Sequence, residues 1–339
     1  MGKELEIRHS ILVVCYRQES FIEETLLSAI RQTERPHEVV VCDDCSPDKT
    51  WDIVKSLGQR YSDLLRIHRN PTNLGIFANL HHVRSLATGN VITFLSGDDL
   101  LKERTLESIS ESIRSQNLNP QLDKFIVALN SVHLYPDGTE TIWNNYRRRF
   151  IDRFKLRLRY GLSYRGAGLS KPLVDAARTE HEILMQHPEC GLAADWVKGF
   201  YEIDNATRIV FNPYAGPVYR LGTGITSSES LNQRELARKN ALDVIESNWA
   251  EVWDESDRQY MNYIRTRQQY HARKTKLNFL KLLWAWWANR NNFDPNFPWI
   301  RAGNFLLPNR MLKFFKYIVY KNLQQRESGT DKSTLVTQQ

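Results

Sequence analysis

The sequence predicts an α/β fold with a doubly wound sheet, and three observations carry that expectation. Apolar runs at Ile11 to Cys15, Val39 to Cys42, Val91 to Leu95 and Phe125 to Leu129 read as buried parallel strands. Helical patterns with recognisable starts lie between them, and strands alternating with helices at this spacing build a doubly wound domain. Two of the runs lead into paired carboxylates, Asp43–Asp44 and Asp98–Asp99. In such sheets ligands bind outside the carboxyl ends of the strands, where these acidic loops fall.

Each element has a local reason. After the first run, Ser20 followed by Glu23 has the spacing of a capping box. After the second, Ser46 precedes Pro47, an N-cap residue before a proline at the first helical position, and Asp48 is expected to cap as well. The third run, in VITFLSGDDLL, delivers Asp98 and Asp99 to a loop where Gly97 lets the backbone turn tightly. From Tyr146 to Gly168 the chain is basic, aromatic and weakly periodic, which suits an exposed basic helix or an inserted segment. A helix rich in Glu, Asp and Trp is expected near Leu231 to Tyr270. Paired aromatics and basics follow, in LNFLKLLWAWWANRNNF, FPWI and RMLKFFKYIVYKN. The division expected is an α/β domain over 1–228, a helical C-terminal region over 229–326, and a polar, disordered tail over 327–339.

At 339 residues, with 41% hydrophobic and 25% charged residues, the chain can bury a real core and disorder is not the default. Much of its +7 formal charge is local: Arg273 to Arg326 holds eleven Lys or Arg and one acid, Asp294. That bias suits an anionic partner for the segment: phospholipid, nucleic acid or a phosphorylated carrier. Within this segment Leu277, Leu280, Leu283, Trp284 and Trp287 recur at three- and four-residue steps, an apolar stripe beside cations that suits a membrane interface, the protein core or a dimer contact. The opening MGKELEIRHS does not read as a secretory signal, and no apolar stretch reaches the roughly 18 to 20 residues that span a bilayer. A cytoplasmic protein, peripheral at the inner face of the membrane, is expected. Cys42 and Cys45 form a C-x-x-C, but Cys15 and Cys42 sit in apolar strands and no second ligand pair accompanies them, so small-hydrophobe roles are expected.

Adjacent carboxylates on a loop after a strand suit a hard divalent cation shared with nucleotide phosphates. Three blocks then carry a family resemblance: SILVVCYRQESFIEETLLSAIRQT, EVVVCDDCSPDKT close to "E-I-I-V-V-D-D-G-S-T-D-x-T", and NPTNLGIFANLHHVRSLATGNVITFLSGDD close to "N-x-G…N…A-x-G-x-x-I-x-F-L-D-x-D-D". In this order the chain resembles the family 2 glycosyltransferases, inverting enzymes of GT-A fold that use a nucleotide-sugar donor. The resemblance covers roughly residues 8 to 105 well and 190 to 225 loosely. It departs at VCYR, where "P-T-Y-N" is usual, and at Cys45, where Gly is usual.

The resemblance implies a role for each acid. Asp99, assisted by Asp98, would be the ligand of Mn2+ or Mg2+, and Asp98 could instead hold the donor's ribose or sugar. Asp44 would accept a hydrogen bond from the base, with Asp43 beside it. Asp195, before Trp196 in CGLAADWVKGFYEID, matches the general base of an "E-D-W" signature, Ala194 replacing the usual acid. Arg220 in PVYRLGTGITSS would reach the diphosphate. His81 and His82 lack acidic partners at ligand spacing and are expected to be surface or core residues. The partners implied are a nucleotide-sugar donor, UDP-sugar favoured, and a glycan or lipid-linked acceptor in surface-polysaccharide or O-antigen assembly. Two rivals are a sugar-nucleotide nucleotidyltransferase, whose "G-x-G-x-R" loop is missing, and a non-catalytic membrane- or nucleic-acid-binding protein using the basic aromatic tail, which has no need of the acids.

Overall fold

The computed structural model describes residues 6–143, 167–176, 183–223, 230–273 and 275–288. The expected basic segment Tyr146 to Gly168 thus lies almost wholly outside the described residues, as do the tail beyond 288 and the expected disorder of 327–339. By compactness the chain divides into Met1–Ala285 and Trp286–Gln339.

Strands and helices alternate as β1 (His9–Cys15), α1 (Ile22–Ile30), β2 (Glu38–Asp43), α2 (Thr50–Arg60), β3 (Leu65–Arg69), α3 (Ile76–Ser85) and β4 (Val91–Ser96). There follow β5 (Leu100–Leu101), α4 (Thr105–Ser115), β6 (Phe125–Leu134), β7 (Glu140–Trp143), β8 (Gly168–Ser170), α5 (Lys171–Ala176), α6 (Ala194–Asn205) and β9 (Arg208–Arg220). The described strands form one sheet in the order β3-β2-β1-β4-β8-β6-β9-β5, with β7 on β6. The pairs β1–β2, β1–β4, β2–β3 and β6–β9 are parallel. β8 is antiparallel to both β4 and β6, so the sheet is mixed and the Phe125 run, expected in a parallel set, joins β4 only through this short strand.

Burial follows the strand alternation. Ile11, Val13, Val39 and Val41 pack with Leu26 of α1, Val54 of α2 and Ile109 of α4 on one face. Leu12, Val40 and Ile92 pack with Val83 of α3, Leu173 of α5 and Ile203 of α6 on the other. All six residues of β2 are buried, as a strand covered by helices on both faces requires. Each such Ile, Leu or Val contributes roughly 1.5–3 kcal/mol.

Two helix starts differ from expectation. α1 begins at Ile22 after Phe21, with no side-chain cap, because Gln18 O already receives the Phe21 and Ile22 N–H groups. α2 begins at Thr50, where Asp48 Oδ1 accepts from Thr50 N, while Ser46 turns back to Asp43. Beyond β9, the expected long helix is two: α7 (Leu231–Trp249) and α8 (Glu255–Ala272), started by the capping boxes Ser230/Gln233 and Asp254/Asp257. α7 docks on the α/β body through Trp249, whose Nε1 donates to Asp204 at 3.2 Å and whose ring lies 4.8 Å from Phe200. α9 (Lys276–Ala288) buries Leu282 and Ala285, which are not part of the expected stripe, and exposes its members Leu277, Leu280 and Trp284; the side chains of Leu283 and Trp287 lie outside the described ones. No helix among the described residues is long and apolar enough to cross a membrane.

Candidate active site

The acidic loops meet because β1 lies between β2 and β4. Asp44 N donates to Cys15 O and Gly97 N to Val14 O, each at 2.9 Å, so both loops hang from the carboxyl end of the same strand. Arg17 N donates to Ser46 Oγ and Gln18 N to Thr50 Oγ1, which ties the first turn to the second. Arg17 and Cys45 take the left-handed backbone, with φ of 55° and 57°. Cys45 therefore occupies a position that suits Gly, and its side chain is tolerated at some conformational cost.

Asp43 is fully buried and its carboxylate accepts from Ser46 N at 3.0 Å, from Ser46 Oγ at 2.5 Å and from the Cys15 thiol, with Arg69 Nε at 3.3 Å. This acid shapes the turn rather than facing an opening. Asp44, 3% exposed, accepts from Asn70 Nδ2 (2.8 Å), Leu74 N (2.9 Å) and Gly75 N (2.9 Å), and so holds the loop that starts α3.

Asp98 and Asp99 are joined to Arg220 across the sheet. Pairing of Leu100 with Val218 brings β9 alongside the loop. Arg220 N then donates to Asp99 Oδ1 at 3.0 Å, and Arg220 Nη1 donates to the Asp98 carbonyl at 2.8 Å. Thr223 Oγ1 donates to Asp98 Oδ2 at 3.3 Å. The guanidinium also pairs with Glu24 of α1 and lies 5.3 Å from the Phe21 ring centroid. Sequence reading found Arg220 but missed Glu24, Phe21 and Thr223, which carry no local motif and gain meaning only when α1 and β9 converge.

Asp195 is the second residue of α6 and is exposed, so Ala193 and not Asp195 is the N-cap. α6 packs against the sheet through Ile203 and leads directly into β9, which runs parallel to β6. A crossover helix in that setting points its start toward the carboxyl ends of the strands, the end that bears the acidic loops.

The donor set suits a hard cation: Asp98 and Asp99 offer carboxylate oxygens, and no group of three or more His, Cys, Asp or Glu among the described residues could enclose a metal by itself. Two carboxylates completed by substrate phosphates and water are the usual surroundings of Mg2+ or Mn2+ at a nucleotide. The C-x-x-C offers no rival. All four cysteines are free, and burial, with the charges of Asp43 and Asp44, pushes the Cys42 thiol to about 12.

EpsE of Bacillus subtilis (strain 168), which bears a provisional glycosyltransferase name, is 37% identical over 98 residues, 29% of this chain and 35% of EpsE. The UDP-Glc:alpha-D-GlcNAc-diphosphoundecaprenol beta-1,3-glucosyltransferase WfaP of Escherichia coli is 33% identical over 90 residues, 26% of this chain and 35% of WfaP. The chain thus spans about a third of the length of these curated relatives. Among solved structures, S. aureus TarS 1-349 in complex with UDP-GlcNAc superposes with a TM-score of 0.55 at 17% identity, covering 85% of this chain and 82% of that one, which shows the GT-A fold. The family model described as glycosyl transferase family 2 matches residues 10–175, from β1 through the acidic pair to α5, and over that stretch the chain is similar to the family.

Proposed function

We propose that the protein is a metal-dependent, inverting glycosyltransferase that moves a sugar from a nucleotide-diphosphate donor to an acceptor hydroxyl. The observation that carries this reading is the Asp98–Asp99 loop, fixed by Arg220 beside the Asp43–Asp44 turn within a family 2 domain. A UDP-sugar is the favoured donor, supported by the UDP-glucose in the name of WfaP and by the UDP-GlcNAc complex of TarS. The diphosphoundecaprenol acceptor in the same name supports a lipid-linked or glycan acceptor in surface-polysaccharide assembly.

Each residue then has a task. Asp44 accepts from the base, and Asp43 holds the turn that presents it. Asp99, with Asp98, would hold Mn2+ or Mg2+, which when bound supplies positive charge at the leaving diphosphate. Arg220 adds a cation at the same place and would exchange Glu24 for phosphate oxygens. Asp195 takes the acceptor proton as the hydroxyl attacks the sugar. The exposed Leu277, Leu280 and Trp284 on α9, beside Lys281, support a peripheral contact with anionic membrane.

The test is a screen of sugar nucleotides for hydrolysis and transfer, run with Mn2+, with EDTA, and with Asp99→Asn. Loss of one electrostatic contact of this kind costs on the order of 100- to 1,000-fold in turnover. Turnover that survives both EDTA and Asp99→Asn would remove the metal from the reading.

A further inference from the structure

His82 was expected to be an ordinary surface or core residue, yet it stands at the end of a buried chain of hydrogen bonds that reaches Asp44. Its Nδ1 lies 2.8 Å from Asn70 Oδ1. Asn70 Nδ2 donates to Asp44 Oδ1 at 2.8 Å and to Asn79 Oδ1 at 3.0 Å, and Asn79 Nδ2 donates to Cys42 O at 3.1 Å. Asn70 and Asn79 are each 2% exposed. The orientation of the Asn70 amide follows from its partners. A carboxylate can only accept, so the NH2 group faces Asp44 and the amide oxygen faces His82. His82 must therefore carry a hydrogen on Nδ1 and donate it.

Asp44 has little freedom in this arrangement. Oδ1 receives Asn70 and Leu74 N–H, which fills both of its lone pairs. Oδ2 receives Gly75 N–H alone among the described residues and keeps one acceptor position. That remaining position is where a base N–H can be met, so the direction of the carboxylate decides whether the nucleotide is held.

We propose that His82 and Asn70 are positioning residues of the nucleotide pocket, a relay from α3 that fixes the Asp44 carboxylate with one Oδ2 acceptor position turned to the base. The proposal rests on the reading of Asp44 as the base acceptor and adds two residues to it. Without the Nδ1 donor, the buried Asn70 oxygen loses its partner and the amide is free to seek another, which loosens Asp44. An unpaired buried group of this kind corresponds to roughly a tenfold change in affinity.

The experiment titrates the full chain with UDP, GDP, CDP and TDP in the presence of Mn2+ by calorimetry, taking the tightest as the probe. Wild type is compared with Asp44→Asn, His82→Leu and His82→Asn, and thermal unfolding is recorded for each. The expected result is that Asp44→Asn and His82→Leu both weaken the probe, His82→Leu on the order of tenfold, while His82→Asn recovers most of the affinity. The Asn amide can place an N–H near the position of Nδ1, whereas Leu fills more apolar space. A residue that merely packs would give the opposite order, with Leu the milder change. If His82→Leu binds like wild type, or His82→Asn binds as weakly as His82→Leu, the relay is refuted. If Asp44→Asn binds like wild type, or no nucleotide binds wild type, it is the reading of the pocket that fails.

Discussion

Gly97→Ala tests how tightly the acidic pair is placed. Gly97 N donates to Val14 O at 2.9 Å and its carbonyl accepts from Thr25 Oγ1 at 2.9 Å, so the residue is pinned between β1 and α1. A Cβ added there would lie 2.1 Å from Gln18 Oε1 and 2.7 Å from Cys15 Cβ. The glutamine end can swing away. Cys15 Cβ is one bond from the backbone of a central, buried strand and cannot, so the loop must move outward. Overpacking of this kind costs about 1–3 kcal/mol, a drop of several degrees in Tm. The following two residues are Asp98 and Asp99, and a displacement on the order of 1 Å at reacting groups costs about 100-fold in turnover. Nucleotide affinity should fall much less, because Asp44 is held by the separate Asn70–Gly75 loop. Calorimetric unfolding, nucleotide titration and donor turnover read the three effects. A Gly97→Ala protein with the wild-type Tm and turnover would refute the reasoning, as would equal losses in nucleotide affinity and turnover.

Three further outcomes are expected. Asp195→Asn keeps nucleotide affinity and lowers turnover by roughly 100- to 10,000-fold, the usual size for a general base; a parallel loss of donor binding would move Asp195 into the donor site. His9 is buried beside Ser110 Oγ (2.8 Å) with the Glu34 carboxylate 3.7 Å away, and burial, with Arg114 nearby, outweighs that carboxylate and lowers its pKa from 6.5 to about 3. A His depressed on folding stabilises above its unfolded pKa and loses that stability as pH falls from 6.5 toward 3. Unfolding at about pH 4 should therefore be easier than at pH 7 by up to ~3 kcal/mol, and His9→Asn should flatten that slope; an unchanged slope in urea melts would exclude His9. Replacing Leu277, Leu280 and Trp284 together with Ser should release the protein from anionic liposomes in a flotation assay without lowering Tm, since all three are exposed; undiminished flotation would show that α9 is not the contact.

The four apolar runs, all recovered as buried strands, were legible because a strand covered on both faces leaves an uninterrupted hydrophobic signal. β8 was not. Three residues, Gly168–Ser170, are too few to show a period, yet they reverse the local strand direction and separate β4 from β6. Helix starts were misread for a related reason. Ser20 and Ser46 have the right residue types, but Gln18 and Asp43 take up the local hydrogen bonds first. Tertiary competition for a hydroxyl or an N–H group leaves no trace in spacing.

At the site, residue type was legible and partnership was not. Paired carboxylates after two strands marked the candidate site, and Gly97 was noticed for its flexibility. The structure assigns it a different reason, since it is absent from the residues with positive φ and is small because Cys15 and Gln18 leave no room. Asp43 and Asp44 look equivalent in sequence, but adjacent residues at a strand end point to opposite sides. One is consumed by Ser46 and Arg69 inside the turn, and the other is spread over Asn70, Leu74 and Gly75. Arg220 shows the same principle at longer range. Its value comes from Glu24, nearly two hundred positions earlier, and from the backbone of Asp98, none of which a linear motif can record. A buried guanidinium needs several acceptors, and here they come from α1 and the β4–β5 loop at once. The cation that the resemblance sends to the diphosphate is therefore also what joins α1 to the β4–β5 loop.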